Sequence, residues 1–437
     1  MTNTKWACRV VDTDGPAATD VRILPRRGDI GVSWAIARLE HVSRYRVYPT
    51  AAQEVLLLEQ CAHARYVWNL GLDQRLMWRR WQGPTPRFIA QAAQLTEARA
   101  AEPWLAAGSQ TVQQQALRDL DQAWRNFFGG TYGRPTWRKA GVHEGFRIVG
   151  AQALRVEQLS RRWSEVLVPK VGWVRFKRSR AIPQFKSYRM SRDRAGRWHI
   201  AFAAKPDPIP APGTGEVVGL DRGVAVAVAL STGELTSPAR PGPKQAERLV
   251  RLQRKLARAE RGSNRRAKTK AQIARITARE GDRRKDWVEK TSTGLAARFE
   301  VIRVEDLNIR RMTRSARGTL DAPGRNVRAK AGLNRAILAQ GWGQLLTRLE
   351  QKAPDRVEMV SAAYTSQRCS VCGMVDASSR KSQALFVCTA CGWQANADVN
   401  AARNIAAGHA VTARGDRGSP ARSVKREPQH VRPPKVA

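Results

Sequence analysis

Four of the chain's six cysteines fall as two C-x-x-C pairs, Cys369/Cys372 and Cys388/Cys391, separated by fifteen residues. That spacing constrains the fold more than any other feature. In a reducing compartment it favours a metal over disulfides. Gly373 and Gly392 follow the pairs and allow the tight turn that a metal knuckle needs. Four thiolates close a tetrahedral Zn²⁺ shell with no open position, so one structural zinc is expected. So small a ribbon has little core and depends on metal to fold. The remaining pair, Cys8 and Cys61, stand alone, and Cys61 lies in an apolar helical run and reads as a buried small hydrophobe.

The second constraint is charge. Lys and Arg number 77 against 37 Asp and Glu, a formal charge of +40. A compact fold with that charge repels itself and calls for a polyanionic partner. Nucleic acid is the first candidate, because each neutralised phosphate releases counterions and binding should weaken steeply with salt. A ribosome-like or histone-like binder without chemistry is the plainer reading, and an anionic membrane surface a weaker one. Hydrophobic residues make up 42% of the chain, enough for real cores. No run approaches the roughly 18 apolar residues of a membrane helix. The start, MTNTKWACRVVDTDG, has no secretory pattern. A cytoplasmic, nucleoid-associated protein is therefore expected, with no membrane partner.

The length of 437 residues suits roughly two to four domains. Residues 1–41 have mixed character and no assignable role. Helical periodicity runs from Thr50 to about Trp81 and from Thr111 to Phe128. The MWRRW stretch, Met77–Trp81, could stack bases, or could bury Trp78 and Trp81 with arginine outside. Residues 144–205 alternate and turn at Gly and Asp, the pattern of a small antiparallel β-barrel. Residues 216–235 read as strand, tight turn and strand around Asp221-Arg222-Gly223. Residues 244–290 read as a basic helical hairpin split at Gly262-Ser263-Asn264. A buried strand over 300–309 carries Glu305-Asp306, a helix follows over 332–351, and a strand over 357–365. Asp398 opens a short helix directly after the cysteine module. The tail from Gly408 is basic and Pro-containing and is expected to be disordered.

Asp221, Glu305 and Asp398 each sit at the edge of a buried element. One such acid is commonly a cap. Three invite a cation site, and oxygen ligands suit Mg²⁺ or Mn²⁺. Composition leaves open which carboxylates meet in space.

From about Tyr45 to Ala407 the chain carries YRVYPTAAQ, RYVWNLGL, GLDRG, RVEDLNI, YTSQRCSVCG, CTACG and ADVNAARNIAA, in that order. On these motifs it resembles the TnpB family of insertion-sequence proteins and its relatives, the miniature type V CRISPR effectors. It implies a multidomain α+β protein. An RNase H-like (RuvC) α/β nuclease domain would span 213–366 and 394–408, with the zinc ribbon inserted at 367–393. A β-barrel wedge domain, 42–49 with 143–212, would carry a helical recognition insertion at 50–142. The extension 1–41 and the tail 409–437 lie outside it. The resemblance implies Asp221, Glu305 and Asp398 as catalytic ligands of two Mg²⁺ (or Mn²⁺) ions. It implies Cys369, Cys372, Cys388 and Cys391 as zinc ligands. The expected partners are a guide RNA and double-stranded target DNA, with the chain a monomer or homodimer. The expected activity is RNA-guided hydrolysis of DNA phosphodiesters beside a short motif. An RNA-guided binder that does not cut, and a transposase-associated protein, are the alternatives. One departure stands out: many relatives carry Arg just before the last acid, where this chain has Ala397.

Overall fold

The computed structural model describes residues 41–204 and 207–408. The expectations for residues 1–40 and for the tail from 409 lie outside the described residues, as does Cys8.

The first half pairs one long curled sheet with helices. Strand β1 (His41–Val47) leads into α1 (Ala51–Met77), whose start is closed by a reciprocal capping box between Thr50 and Gln53. Helices α2 (Phe88–Ala101), α3 (Pro103–Ala107) and α4 (Gln110–Phe128) follow. Then come β2 (Gly145–Val149), β3 (Val156–Gln158), β4 (Trp163–Val168), β5 (Gly172–Lys177), β6 (Ser187–Arg192) and β7 (Trp198–Ala204). The strand order is β2-β6-β7-β1-β5-β4-β3, antiparallel throughout. Laid flat, seven strands at ~4.8 Å spacing would hold the two edges about 29 Å apart. Yet β2 and β3 are joined only by residues 150–155, most of them coiled in a 3₁₀ turn at Gly150–Leu154. At ~2 Å per residue in that turn, the link reaches less than about 20 Å. The sheet must therefore curl until its edges approach, which gives it a barrel-like form. Tyr45, Phe176, Tyr188 and Phe202 fill its interior, in one core continuous with Leu57, Leu72, Leu117 and Leu120 of α1 and α4.

The second half is built on a five-stranded sheet. Its strands and helices run β8 (Val217–Asp221), β9 (Val228–Leu230), β10 (Leu235–Thr236), α5 (Pro243–Arg258), α6 (Asn264–Arg298), β11 (Val301–Glu305), α7 (Ile309–Met312), α8 (Val327–Gln340), α9 (Trp342–Lys352) and β12 (Val357–Val360). The order is β10-β9-β8-β11-β12. The first three strands form an antiparallel meander, and β8, β11 and β12 run parallel. Val218, Leu220, Ile302 and Val304 pack beneath Leu295 of α6 and Leu345 and Leu349 of α9. The chain closes with β13 (Leu385–Val387), β14 (Gln394–Asn396) and α10 (Ala397–Ala406).

Three local expectations change. The single helix over 332–351 is broken at Gly341, whose φ of +77° ends α8 and starts α9. The turn after Asp221 is a six-residue connection, 222–227, rather than a tight one. Helix α1 stops at Met77, and Trp81 is 83% exposed, so the reading that buries both tryptophans does not hold. Cys61 is fully buried, and burial pushes its thiol well above the ordinary range.

Candidate active site and metal centre

Parallel pairing sets two of the acids side by side. Leu220 of β8 is in register with Val304 of β11, so Asp221 and Glu305 are the next residues at the same end of neighbouring strands. The carboxyl ends of parallel strands are where α/β sheets place their ligand sites. The third acid arrives on α10, which lies directly on β8. Gly219 makes that approach possible: a Cβ there would stand 2.0 Å from the Ala402 carbonyl and 2.4 Å from the Ala406 nitrogen. Asn396 caps the helix, its side-chain oxygen accepting from the Asp398 and Val399 amides at 3.0 and 3.1 Å. Asp398 therefore sits in the first turn, where the helix dipole favours its charge. It faces the β8 loop, since a Cβ on Gly223 would lie 3.9 Å from Asp398 Oδ2.

The acids feel one another. The Asp221 carboxyl is pushed up to about 7, first by burial, then by the negative charges of Glu305 and Asp398. Burial also raises Glu305, against the hydrogen bond from Thr365 Oγ1 to Glu305 Oε1 at 2.9 Å and the positive charge of Arg222. Two guanidiniums offset the cluster. Arg222 is buried and donates to the Glu305 carbonyl. Arg380 donates to Asp398 Oδ1 at 2.9 Å and lowers Asp221. Arg380 was not singled out from the sequence. It belongs to the cysteine module, eighteen positions before Asp398. The one available signal was the missing arginine at Ala397, since the cation beside this acid comes from elsewhere in the chain.

The four cysteines converge. Among the described residues, they are the group of candidate ligands whose donor atoms all lie within 4.8 Å of one another. The Sγ atoms of Cys369 and Cys391 are 3.8 Å apart, and those of Cys372 and Cys388 are 3.6 Å apart. A tetrahedral shell with ~2.3 Å metal–sulfur bonds has edges of about 3.75 Å, so the set fits a zinc-sized ion. The knuckles repeat one geometry. Cys369 N donates to Met374 O and Gly373 N to Cys369 O; Cys388 N donates to Trp393 O and Gly392 N to Cys388 O. Both glycines have positive φ, +78° and +69°. Phe386 of β13 and Ala397 of α10 join Cys369 and Cys388 in one small core, which ties the ribbon to the helix bearing Asp398.

Three family descriptions match the chain: a "Helix-turn-helix domain" over residues 42–82, "Probable transposase" over 199–316 and "Cas12f1-like, TNB domain" over 342–405. The first covers β1 and the long helix α1 rather than a pair of short helices. The "Putative RNA-guided DNA endonuclease InsQ" of Escherichia coli (strain K12) is 38% identical over 75% of this chain and 82% of its own length. A "Putative RNA-guided DNA endonuclease" of Streptomyces pristinaespiralis is 33% identical over 90% of this chain and 98% of its own. Among solved structures, Cas12f1 in its complex with sgRNA and target DNA shares the fold. Its TM-score is 0.51 at 13% identity, over 81% of this chain and 82% of that one. The chain belongs to the TnpB family of insertion-sequence proteins, alongside InsQ.

Proposed function

We propose that this chain is an RNA-guided DNA endonuclease whose phosphodiester hydrolysis is carried by Asp221, Glu305 and Asp398. The observation that carries this reading is the meeting of three acids from β8, β11 and α10, close enough that two of them raise the third. Like charges gather at such cost only where cations offset them. Carboxylate oxygens gathered in this way suit hard divalent cations, Mg²⁺ or Mn²⁺, and three acids offer enough of them for a pair. Bound there, two divalent ions ~3.5–4 Å apart would supply an activated water and a clamp on the leaving oxygen. Asp221 and Glu305 hold their side of the site from rigid strand ends. Asp398 holds the other from a capped helix. Arg380 offers a guanidinium beside Asp398, fit to meet a phosphate oxygen. The cysteine centre is read as one structural Zn²⁺.

The RNase H-like (RuvC) reading of 213–366 with 394–408 rests on the meander followed by parallel strands with acids at their ends. The curled sheet with its helices is read as a wedge domain carrying a recognition insertion. The basic hairpin α5–α6 is read as a backbone-contacting surface for a guide–target heteroduplex. The names of InsQ and its Streptomyces counterpart support a guide RNA and target DNA as the partners.

The test uses purified protein, its copurified RNA, matched target DNA and Mg²⁺. Wild type is expected to cut. Asp221→Ala, Glu305→Ala and Asp398→Ala are each expected to fall to the level of guide-free protein while still binding RNA. Binding of matched DNA without cutting by wild type would favour a non-cleaving binder instead.

A further inference from the structure

Helix α10 carries two fully buried asparagines, Asn400 and Asn404, at 0% and 1% exposure. Four residues apart, they share one face of the helix that also bears Asp398. Both bond the segment that runs from Thr365, the partner of Glu305, to Ser370, just past the first cysteine of the cluster. Asn404 Nδ2 donates to the carbonyls of Thr365 at 2.9 Å and Arg368 at 2.7 Å. Asn400 Nδ2 donates to the same Arg368 carbonyl at 2.8 Å, and its oxygen accepts from the Ser370 amide at 2.9 Å. Asn404 Oδ1 is buried without a partner. An orphaned buried acceptor costs about 1–3 kcal/mol, which an apolar side chain would avoid, so the two donated bonds need a reason.

The reason lies at the two ends of the clamped segment. At one end Thr365, itself buried, donates to Glu305 Oε1. It follows Tyr364, whose φ of +61° is a left-handed conformation that a tyrosine rarely adopts. At the other end is Cys369, which joins the metal centre. We propose that Asn400 and Asn404 are positioning residues that lock residues 365–370 onto the helix of Asp398, so that Thr365 holds the Glu305 carboxylate in place for a divalent cation. This rests on the assignment of Glu305 to the nuclease site. The lock also gives the ribbon a mechanical route to that site: closing metal on Cys369 fixes Arg368 and Ser370, and the asparagines carry that order to Thr365.

The test uses full-length protein with its zinc. Mn²⁺ binding is followed by electron paramagnetic resonance, with the Asp221→Ala chain as blank. Zinc content, thermal midpoint and guide-directed cutting are measured alongside. Thr365→Val keeps the shape and removes the hydroxyl, while Thr365→Ser keeps the hydroxyl. Thr365→Val and Asn404→Ala should each weaken Mn²⁺ binding and slow cutting roughly 10- to 100-fold, with zinc content unchanged. Thr365→Ser should restore both to near the wild-type level. Should Asn404→Ala fail to fold, the Thr365 pair decides. Thr365→Val that binds Mn²⁺ and cuts like wild type, or Thr365→Ser as impaired as Thr365→Val, would overturn the proposal. Failure of the nuclease assignment itself looks different: Glu305→Ala would cut normally.

Discussion

Asp221 is an acid that the fold holds well above the ordinary carboxylate range despite the nearby Arg380 and Arg222 guanidiniums. Its ordinary value is 3.8 and burial with two acidic neighbours takes it to about 7. The native chain thus binds this proton more tightly than the unfolded one. Stability from this group falls as pH rises from about 4 to 7, and the penalty is fully present above 7. Asp221→Asn removes the charge and nearly keeps the shape. In Mg²⁺-free buffer at pH 8 it should stabilise the protein by on the order of 2 kcal/mol, with little change at pH 4, while abolishing cutting. Thermal melts at the two pH values check this, and an equal shift at both would contradict it. The three acids were legible in sequence because each closes or opens an apolar element beside a recognisable motif. Arg380 and Thr365 were not. Arg380 reaches Asp398 because the ribbon folds back on α10, and Thr365 reaches Glu305 because β12 pairs beside β11; local periodicity encodes neither approach.

Elements show where geometry is least forgiving. Helix α10 lies on β8 at Gly219, and backbone atoms of α10 would meet any added Cβ. Gly219→Ala should therefore displace the helix, destabilise the protein by about 2–3 kcal/mol and reduce cutting, although it touches no acid. Denaturant melts and a cleavage assay read both effects. A second sensitive point is His199 on β7. Burial, then the nearby positive charge of Arg44, pulls its imidazole down to about 4, against the hydrogen bond to Asp193. Asp193 also binds Arg197, which reaches Asp282 of α6 at 2.6 Å. Because the folded value lies below the ordinary 6.5, this contribution is intact above pH 6.5 and is lost as pH falls towards 4. The loss should reach up to about 3 kcal/mol, and His199→Gln should flatten that slope in melts between pH 4.5 and 7.5. The long amphipathic helices and alternating strands were readable from period alone. The break at Gly341 was not, since one glycine within a helical pattern becomes a stop only when packing demands positive φ. Helix α2 was missed because it buries only Gln91 and Leu95 and so carries a weak stripe.

At the scale of the molecule, two sheets and a four-cysteine ribbon divide the work that a +40 chain can perform on polyanions. The curled sheet and its helices form one continuous core. The second sheet and α10 gather the acids, and the ribbon braces α10 through Phe386 and Ala397. Among the described residues, no helix is long and apolar enough to cross a membrane. What the sequence left open at this scale was convergence: Asp221 and Asp398 are brought together only by a helix laid across the first strand of the sheet, a contact no window of residues encodes. That convergence is the claim on which the function stands. Crystals of the guide-loaded protein with target DNA, soaked in Mn²⁺ and measured for anomalous scattering, test it directly. Two Mn²⁺ peaks ~3.5–4 Å apart, bordered by Asp221, Glu305 and Asp398, are the predicted result. Absence of Mn²⁺ from that corner while DNA is cut would contradict it.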